Sequence, residues 1–164
     1  MALSVGTKAP DFSLPTKTKD GIQVVQLSRY QGKKKALILF FPGAFTTVCT
    51  SEMCSVSEED SRYEALGAVV LGISGDSPFA LEAWAEKEGI TIPLLSDYDH
   101  AVTRAYDVAY ANFPPGTKLL PEGVSKRSAF IVDKHGVIEY AESSDNPKQL
   151  PDFVAIAAKL KQIV

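Results

Sequence analysis

The chain has two cysteines, two histidines and one tryptophan among its 164 residues. That scarcity excludes several chemistries. Zinc knuckles use C-x₂₋₄-C with two further ligands, whereas His100 lies in "SDYDHA" and His135 in "DKHG", both turn-like settings. Neither histidine has a partner motif that would make a cysteine–histidine hydrolase, and no metal or cofactor is expected. Long hydrophobic runs are missing too. The longest, Ala36–Phe41, falls far short of the ~20 residues of a membrane span. "MALSVGTKAPDF" offers neither a basic n-region nor an apolar h-region of a signal peptide. A cytoplasmic protein with no membrane partner is expected. Basic charge is not in excess, with 17 Lys and Arg against 20 Asp and Glu and a net charge of −3. That balance gives no reason to expect nucleic acid as a partner. Lys33–Lys35, the one basic cluster, follows Gly32 and precedes an apolar run, as a solvated loop before a strand would. Repeats, linkers and low-complexity tracts are absent, so residues 1–164 are expected to form a single domain.

The apolar pattern that is present alternates strands with helices. "ALILFF" (36–41) and "AVVLGIS" (68–74) are short continuous runs of the kind buried on both sheet faces. Thr46–Leu66 between them reads as helical, which makes a βαβ unit with parallel strands. Ser77 is placed to cap a helix that Pro78 opens and Gly89 ends. Ala80, Leu81, Trp84 and Ala85 form its apolar stripe, so Trp84 is read as core. "TIPLLSD" (91–97) is extended and 101–108 a short helix. "RSAFIVD" and "GVIEYA" (127–133, 136–141) read as an antiparallel hairpin. Pro151 opens a last helix with Phe153, Val154, Ile156, Ala157 and Leu160 on or near one face. This order predicts an α/β, thioredoxin-like fold, a central mixed sheet flanked by helices with an N-terminal extension. Fold alone assigns no function.

Both cysteines fall in "FFPGAFTTVCTSEMC", residues 40–54. In a reducing compartment such cysteines are more often reactive than bridged. A free thiol with a pKa near ~8.5 is only ~3% thiolate at neutral pH, so a nucleophile needs a setting that stabilises the anion. Cys49 falls near the start of the expected helix, where unpaired N–H groups and the macrodipole favour negative charge. It also falls at the carboxyl edge of the sheet, where α/β sites collect. Pro42 is placed to shield the sulfur from water. Thr46, three residues before Cys49, has two readings, a hydroxyl in the same pocket or a helix cap; for Thr47 the cap is preferred. Cys54 also has two readings. Five residues apart in a helix, the Cα atoms would be ~8.6 Å apart, beyond the ~7 Å that a disulfide spans. Bonding would require the helix to unwind, for which the serines at 51, 55 and 57 are suited. Otherwise Cys54 is a small buried hydrophobe.

"PGAFTTVC" resembles the peroxiredoxin active-site signature P-x-x-x-T-x-x-C, carried by Pro42, Thr46 and Cys49. "VGTKAPDFSL", "LSRYQGKKKALILFFPGAFT" and "RSAFIVDKHGVIEY" resemble the family's N-terminal segment, its entry into the site and its late hairpin. The resemblance implies a thiol-dependent peroxidase acting on hydrogen peroxide and organic hydroperoxides. Cys49 would be the peroxidatic cysteine that becomes a sulfenic acid, and Thr46 would bond the peroxide. Arg127 would stabilise the thiolate and the separating oxygens, Pro42 would shield the site, and Glu52 would orient Arg127. The C-x₄-C spacing is similar to that of the bacterioferritin comigratory protein and peroxiredoxin Q subgroup, while the PGAFT loop is type II-like. In that subgroup the second cysteine resolves the first by an intramolecular disulfide, a role that would fall to Cys54. Thioredoxin or glutaredoxin would then be the reductant, with the protein a monomer or homodimer. Two alternatives are a one-cysteine peroxidase with an external thiol and a non-enzymatic peroxide sensor. A thiol–disulfide oxidoreductase on the same fold would normally use C-x-x-C.

Overall fold

Strand β3 (Lys35–Phe40) is buried along its whole length because its side chains serve two cores at once. Strand geometry sends alternate residues to opposite faces. Leu37 and Leu39 enter one apolar cluster with Met53, Trp84, Ile131 and Leu160. Ile38 and Phe40 enter another with Phe12, Leu71, Tyr106 and Phe130. A computed structural model describes residues 1–120 and 122–164 of the chain.

Five strands form the central sheet: β3, β4 (Ala68–Ser74), β5 (Leu94–Ser96), β6 (Arg127–Val132) and β7 (Ile138–Ser144), in the order β5-β4-β3-β6-β7. β4 runs parallel to both β3 and β5, while β6 is antiparallel to β3 and to β7. The sheet is therefore mixed, with the expected parallel unit and late hairpin. The helices are α1 (Thr47–Glu58), α2 (Asp60–Ala65), α3 (Pro78–Glu88), α4 (Ala101–Ala105) and α5 (Phe153–Gln162). Among the described residues no helix is long and apolar enough to cross a membrane.

The α3 boundaries follow from local chemistry. Ser77 Oγ accepts the Ala80 N–H at 3.1 Å, Pro78 stands at the first position, and Gly89 ends the helix with φ of 71°.

Four details differ from the sequence reading. The region 46–66 holds two helices that meet at Glu59, not one. The N-terminal extension contains a hairpin, β1 (Ser13–Thr18) paired with β2 (Gly21–Gln26), across a left-handed Gly21. The helix expected over 101–108 ends at Ala105. Finally, Val154 is 83% exposed on α5, whose buried face consists of Ile156, Ala157 and Leu160.

Candidate active site

The loop that leaves β3 is fixed before it reaches the first cysteine. Ala44 N–H donates to Asp76 Oδ2 at 2.8 Å, and Ser74 Oγ donates to the same oxygen at 2.6 Å, so the end of β4 anchors the loop. Phe45 then adopts φ of 63°, an unfavourable region for a bulky residue. Its ring packs on Trp84 at 6.5 Å between centroids, with Lys87 Nζ 5.8 Å from its centre. These contacts hold the turn that points the chain into α1.

Thr46, not Thr47, occupies the N-cap position of α1, which corrects the expected cap. Its hydroxyl makes no capping bond and donates instead to the Gly43 carbonyl at 2.7 Å. With its proton committed, the oxygen has lone pairs left to accept a bond from a ligand. The Thr46 carbonyl accepts both the Thr50 N–H and the Thr50 hydroxyl. Thr50 Oγ1 accepts in turn from Trp84 Nε1 at 3.1 Å. Trp84 is thus core, wholly buried, and it also braces the first turn of α1.

Cys49 is buried in that turn, with only 1% of its surface exposed. Across from it Arg127, the first residue of β6, is equally enclosed. Arg127 Nη2 lies 3.2 Å from Cys49 Sγ, and Nη1 bonds the Glu52 carboxylate through Oε2. Nε and Nη2 also donate to the Pro147 carbonyl at 3.0 and 2.8 Å. The guanidinium is therefore pinned from three sides in a fixed fork. Burial works against its charge, but Cys49 and Glu52 outweigh that and hold its pKa above the ordinary value. Glu52 is fully buried, and burial pushes its carboxyl up to about 7 against the pull of Arg127.

A cleft of about 160 Å³ lies over these groups, walled by Pro42, Thr46, Thr47, Val48, Cys49, Phe113 and Arg127, with Pro147 and Lys148 completing it. Of the aromatics nearby, Phe113 lines this cleft. Phe45 stands exposed behind the loop, and Trp84 is buried. A larger groove of about 500 Å³ between α1, α2 and α5 contains none of the six candidate residues.

Five of those six, Pro42, Thr46, Cys49, Glu52 and Arg127, meet at the cleft or directly behind it. Cys54 does not. It shares α1 with Cys49 and is directed toward α3, where its thiol lies 3.5 Å from the Glu88 carbonyl. Burial raises its pKa, and Glu88 and Glu58 add to the shift. Both thiols are free. His100 starts α4 with a left-handed φ of 61°, and His135 lies in the β6–β7 turn. The sequence reading missed Asp76, Pro147 and Lys148. Asp76 acts on a backbone N–H and Pro147 through a carbonyl, contacts that no side-chain pattern announces.

Comparison with known proteins identifies the family. The family model described as the AhpC/TSA family matches residues 5–141. A putative peroxiredoxin of Synechocystis, sll0755, is 37% identical over 85% of this chain and 68% of its own length. Alkyl hydroperoxide reductase E of Mycobacterium tuberculosis is 36% identical over 85% of each chain. The chloroplastic 2-Cys peroxiredoxin BAS1 of Spinacia oleracea is 35% identical over 84% of this chain, which spans about half (51%) of that protein. Among solved structures, a peroxiredoxin-like protein from Aquifex aeolicus superposes with a TM-score of 0.83 at 25% identity, covering 100% of this chain and 90% of that one. The chain belongs to the AhpC/TSA family, the peroxiredoxins, and is a thiol-dependent peroxidase.

Proposed function

We propose that Cys49 is the peroxidatic cysteine and that the cleft above it receives the –O–OH end of hydrogen peroxide or an organic hydroperoxide. The observation that carries this reading is the 3.2 Å approach of Arg127 Nη2 to Cys49 Sγ inside a largely apolar enclosure. A fixed cation there favours the thiolate, and the low-dielectric surroundings strengthen its effect.

In the reaction the thiolate attacks the terminal oxygen, a sulfur–oxygen bond forms, and the O–O bond breaks. The sulfur becomes a sulfenic acid, and the departing alkoxide or hydroxide takes up a proton. Arg127 is placed to stabilise the charge that moves from sulfur to the leaving oxygen. Thr46 Oγ1, its own proton held by Gly43, accepts from the peroxide O–H and orients it. Pro42 and Phe113 keep water from the sulfur, and Glu52 positions Arg127.

For the second step we favour attack by Cys54 on the sulfenic sulfur, with loss of water and formation of a disulfide that thioredoxin or glutaredoxin returns to two thiols. Thr47–Glu58 is one helix in the reduced protein, so its first turns must unwind for the sulfurs to meet. Met53 and Glu52, both wholly buried, lie in the stretch that must move. The direction of Cys54 toward Glu88 favours the second reading, an external thiol that attacks Cys49 directly. Steady-state turnover with catalytic protein, excess peroxide and a thioredoxin system tests both. Cys49→Ser is expected to abolish turnover. Cys54→Ser is expected to keep one stoichiometric oxidation of Cys49 but to lose recycling by thioredoxin. Undiminished peroxide consumption by Cys49→Ser would refute the assignment. Undiminished thioredoxin turnover by Cys54→Ser would select the external thiol.

A further inference from the structure

We propose that the buried Glu52 carboxyl releases its proton when Cys49 is oxidised, so that the charge on this acid follows the charge on the sulfur. The inference rests on the reading of Cys49 as the peroxidatic sulfur. It makes Glu52 a proton-coupled positioning residue rather than a fixed counter-ion.

Three observations converge. Arg127 is a single buried cation shared by two groups able to be anions, with Cys49 Sγ on Nη2 and Glu52 Oε2 on Nη1. Glu52 has no exposed surface, and its Oε1 is buried without a hydrogen-bond partner among the described residues. An ionised carboxylate wants partners on both oxygens, whereas a neutral acid tolerates one orphan far better. Third, no second cation faces Glu52: Arg127, from β6, is the one charged group acting on it among the described residues. The other titratable groups near Arg127 among the described residues are Cys49, from α1, Tyr110, and Lys148 at the wall of the cleft. The Tyr110 hydroxyl is engaged by the Asp145 carbonyl at 2.9 Å. Burial already brings Glu52 to about 7 with Arg127 beside it. Negative charge on the sulfur competes for the same guanidinium, so losing that charge on oxidation leaves Arg127 free to hold an ionised Glu52.

The first half-reaction then balances as follows. Cys49–S⁻ and ROOH give Cys49–SOH and RO⁻, the sulfur losing two electrons and the peroxide gaining them. RO⁻ becomes ROH with one proton. The sulfur is now neutral, Arg127 has one anionic claimant, and Glu52 ionises, returning a proton. Net uptake from solvent falls below the one proton that the sulfur chemistry alone would require.

Infrared difference spectra of the full-length protein, before and after one equivalent of hydrogen peroxide at neutral pH, test this. The carbonyl band of a protonated carboxyl should be lost and carboxylate bands gained, by up to about half of one group per sulfur oxidised at neutral pH and by less at more alkaline pH, where reduced Glu52 is already ionised. The signal should vanish in Glu52→Gln. Cys49→Ser has no charge at the sulfur position and should resemble the oxidised protein before any peroxide is added. That comparison decides the matter even if Glu52→Gln does not fold. A purely structural Glu52 would leave the bands unmoved. Oxidation of Cys49 with no change in carboxyl bands overturns the proposal. Failure of the protein to consume peroxide at all would instead overturn the assignment of Cys49.

Discussion

Replacing Arg127 with lysine keeps the positive charge and removes the geometry, which makes it the sharpest probe of the site. Arginine reaches Cys49, Glu52 and the Pro147 carbonyl at the same time because its donors are spread over a rigid plane. An ammonium on a shorter stem cannot span all three. It is expected to settle on the nearer side-chain partner and leave the Pro147 carbonyl and the reacting atoms without the paired donors of the fork. Two consequences follow, of different size. Losing the two bonds to Pro147 costs about 1 kcal/mol each, roughly 2 kcal/mol of stability. Losing the donor aimed at the reacting atoms costs about 3–4 kcal/mol of transition-state stabilisation, a ~10²–10³-fold slower reaction with peroxide. The assay is built into the protein. Trp84 is the one tryptophan, and its indole N–H bonds Thr50, the residue after Cys49. Oxidation of Cys49 should therefore change its fluorescence, and stopped-flow mixing with excess peroxide gives the rate constant. Urea unfolding of the same sample separates lost rate from lost fold. A folded Arg127→Lys protein that reacts within about threefold of wild type would refute the idea that the guanidinium fork carries the catalysis.

Three further outcomes follow from the same geometry. The folded pKa of Glu52, about 7, lies above its ordinary 4.5, so its contribution to stability is fully present below about pH 4.5 and lost as pH rises through about 7. Reduced wild type should thus lose about 3 kcal/mol relative to Glu52→Gln across that window, read by urea unfolding at several pH values; parallel curves would contradict this. Thr46→Ser should keep most of the peroxide rate and Thr46→Val should lose about tenfold or more, since only the first retains an acceptor oxygen. Ser77→Ala should cost about 1 kcal/mol of stability through the lost bond to the Ala80 N–H, with the peroxide rate unchanged.

What could be read from the sequence was local. The boundaries of α3 follow from one hydroxyl, one proline and one glycine, and the buried strands β3 and β4 from unbroken apolar runs. The P-x-x-x-T-x-x-C spacing brought Pro42, Thr46 and Cys49 to notice together because they lie within one loop and one helical turn. From the sequence, Arg127 stands out only through family resemblance. It is 78 residues from Cys49, and nothing in "SKRSAF" reveals that β6 pairs with β3 and brings it there. Other features depended on tertiary contacts. Val154 fits the apolar pattern of α5 and yet faces outward, because the buried stripe there is narrower than the pattern. Thr47 was a sound cap by residue type, but the strained Phe45, held by Trp84, set the helix one residue earlier. The β1–β2 hairpin escaped because Pro15 and mixed polarity mask its alternation.

The most direct test of the central claim is the intact mass of the fully reduced protein after one equivalent of hydrogen peroxide, with a count of free thiols. The account predicts a change confined to Cys49 and its resolver: loss of two hydrogens with both thiols gone if Cys54 resolves, or gain of oxygen at Cys49 with Cys54 still free if an external thiol does. An unchanged mass with both thiols intact under excess peroxide would contradict it.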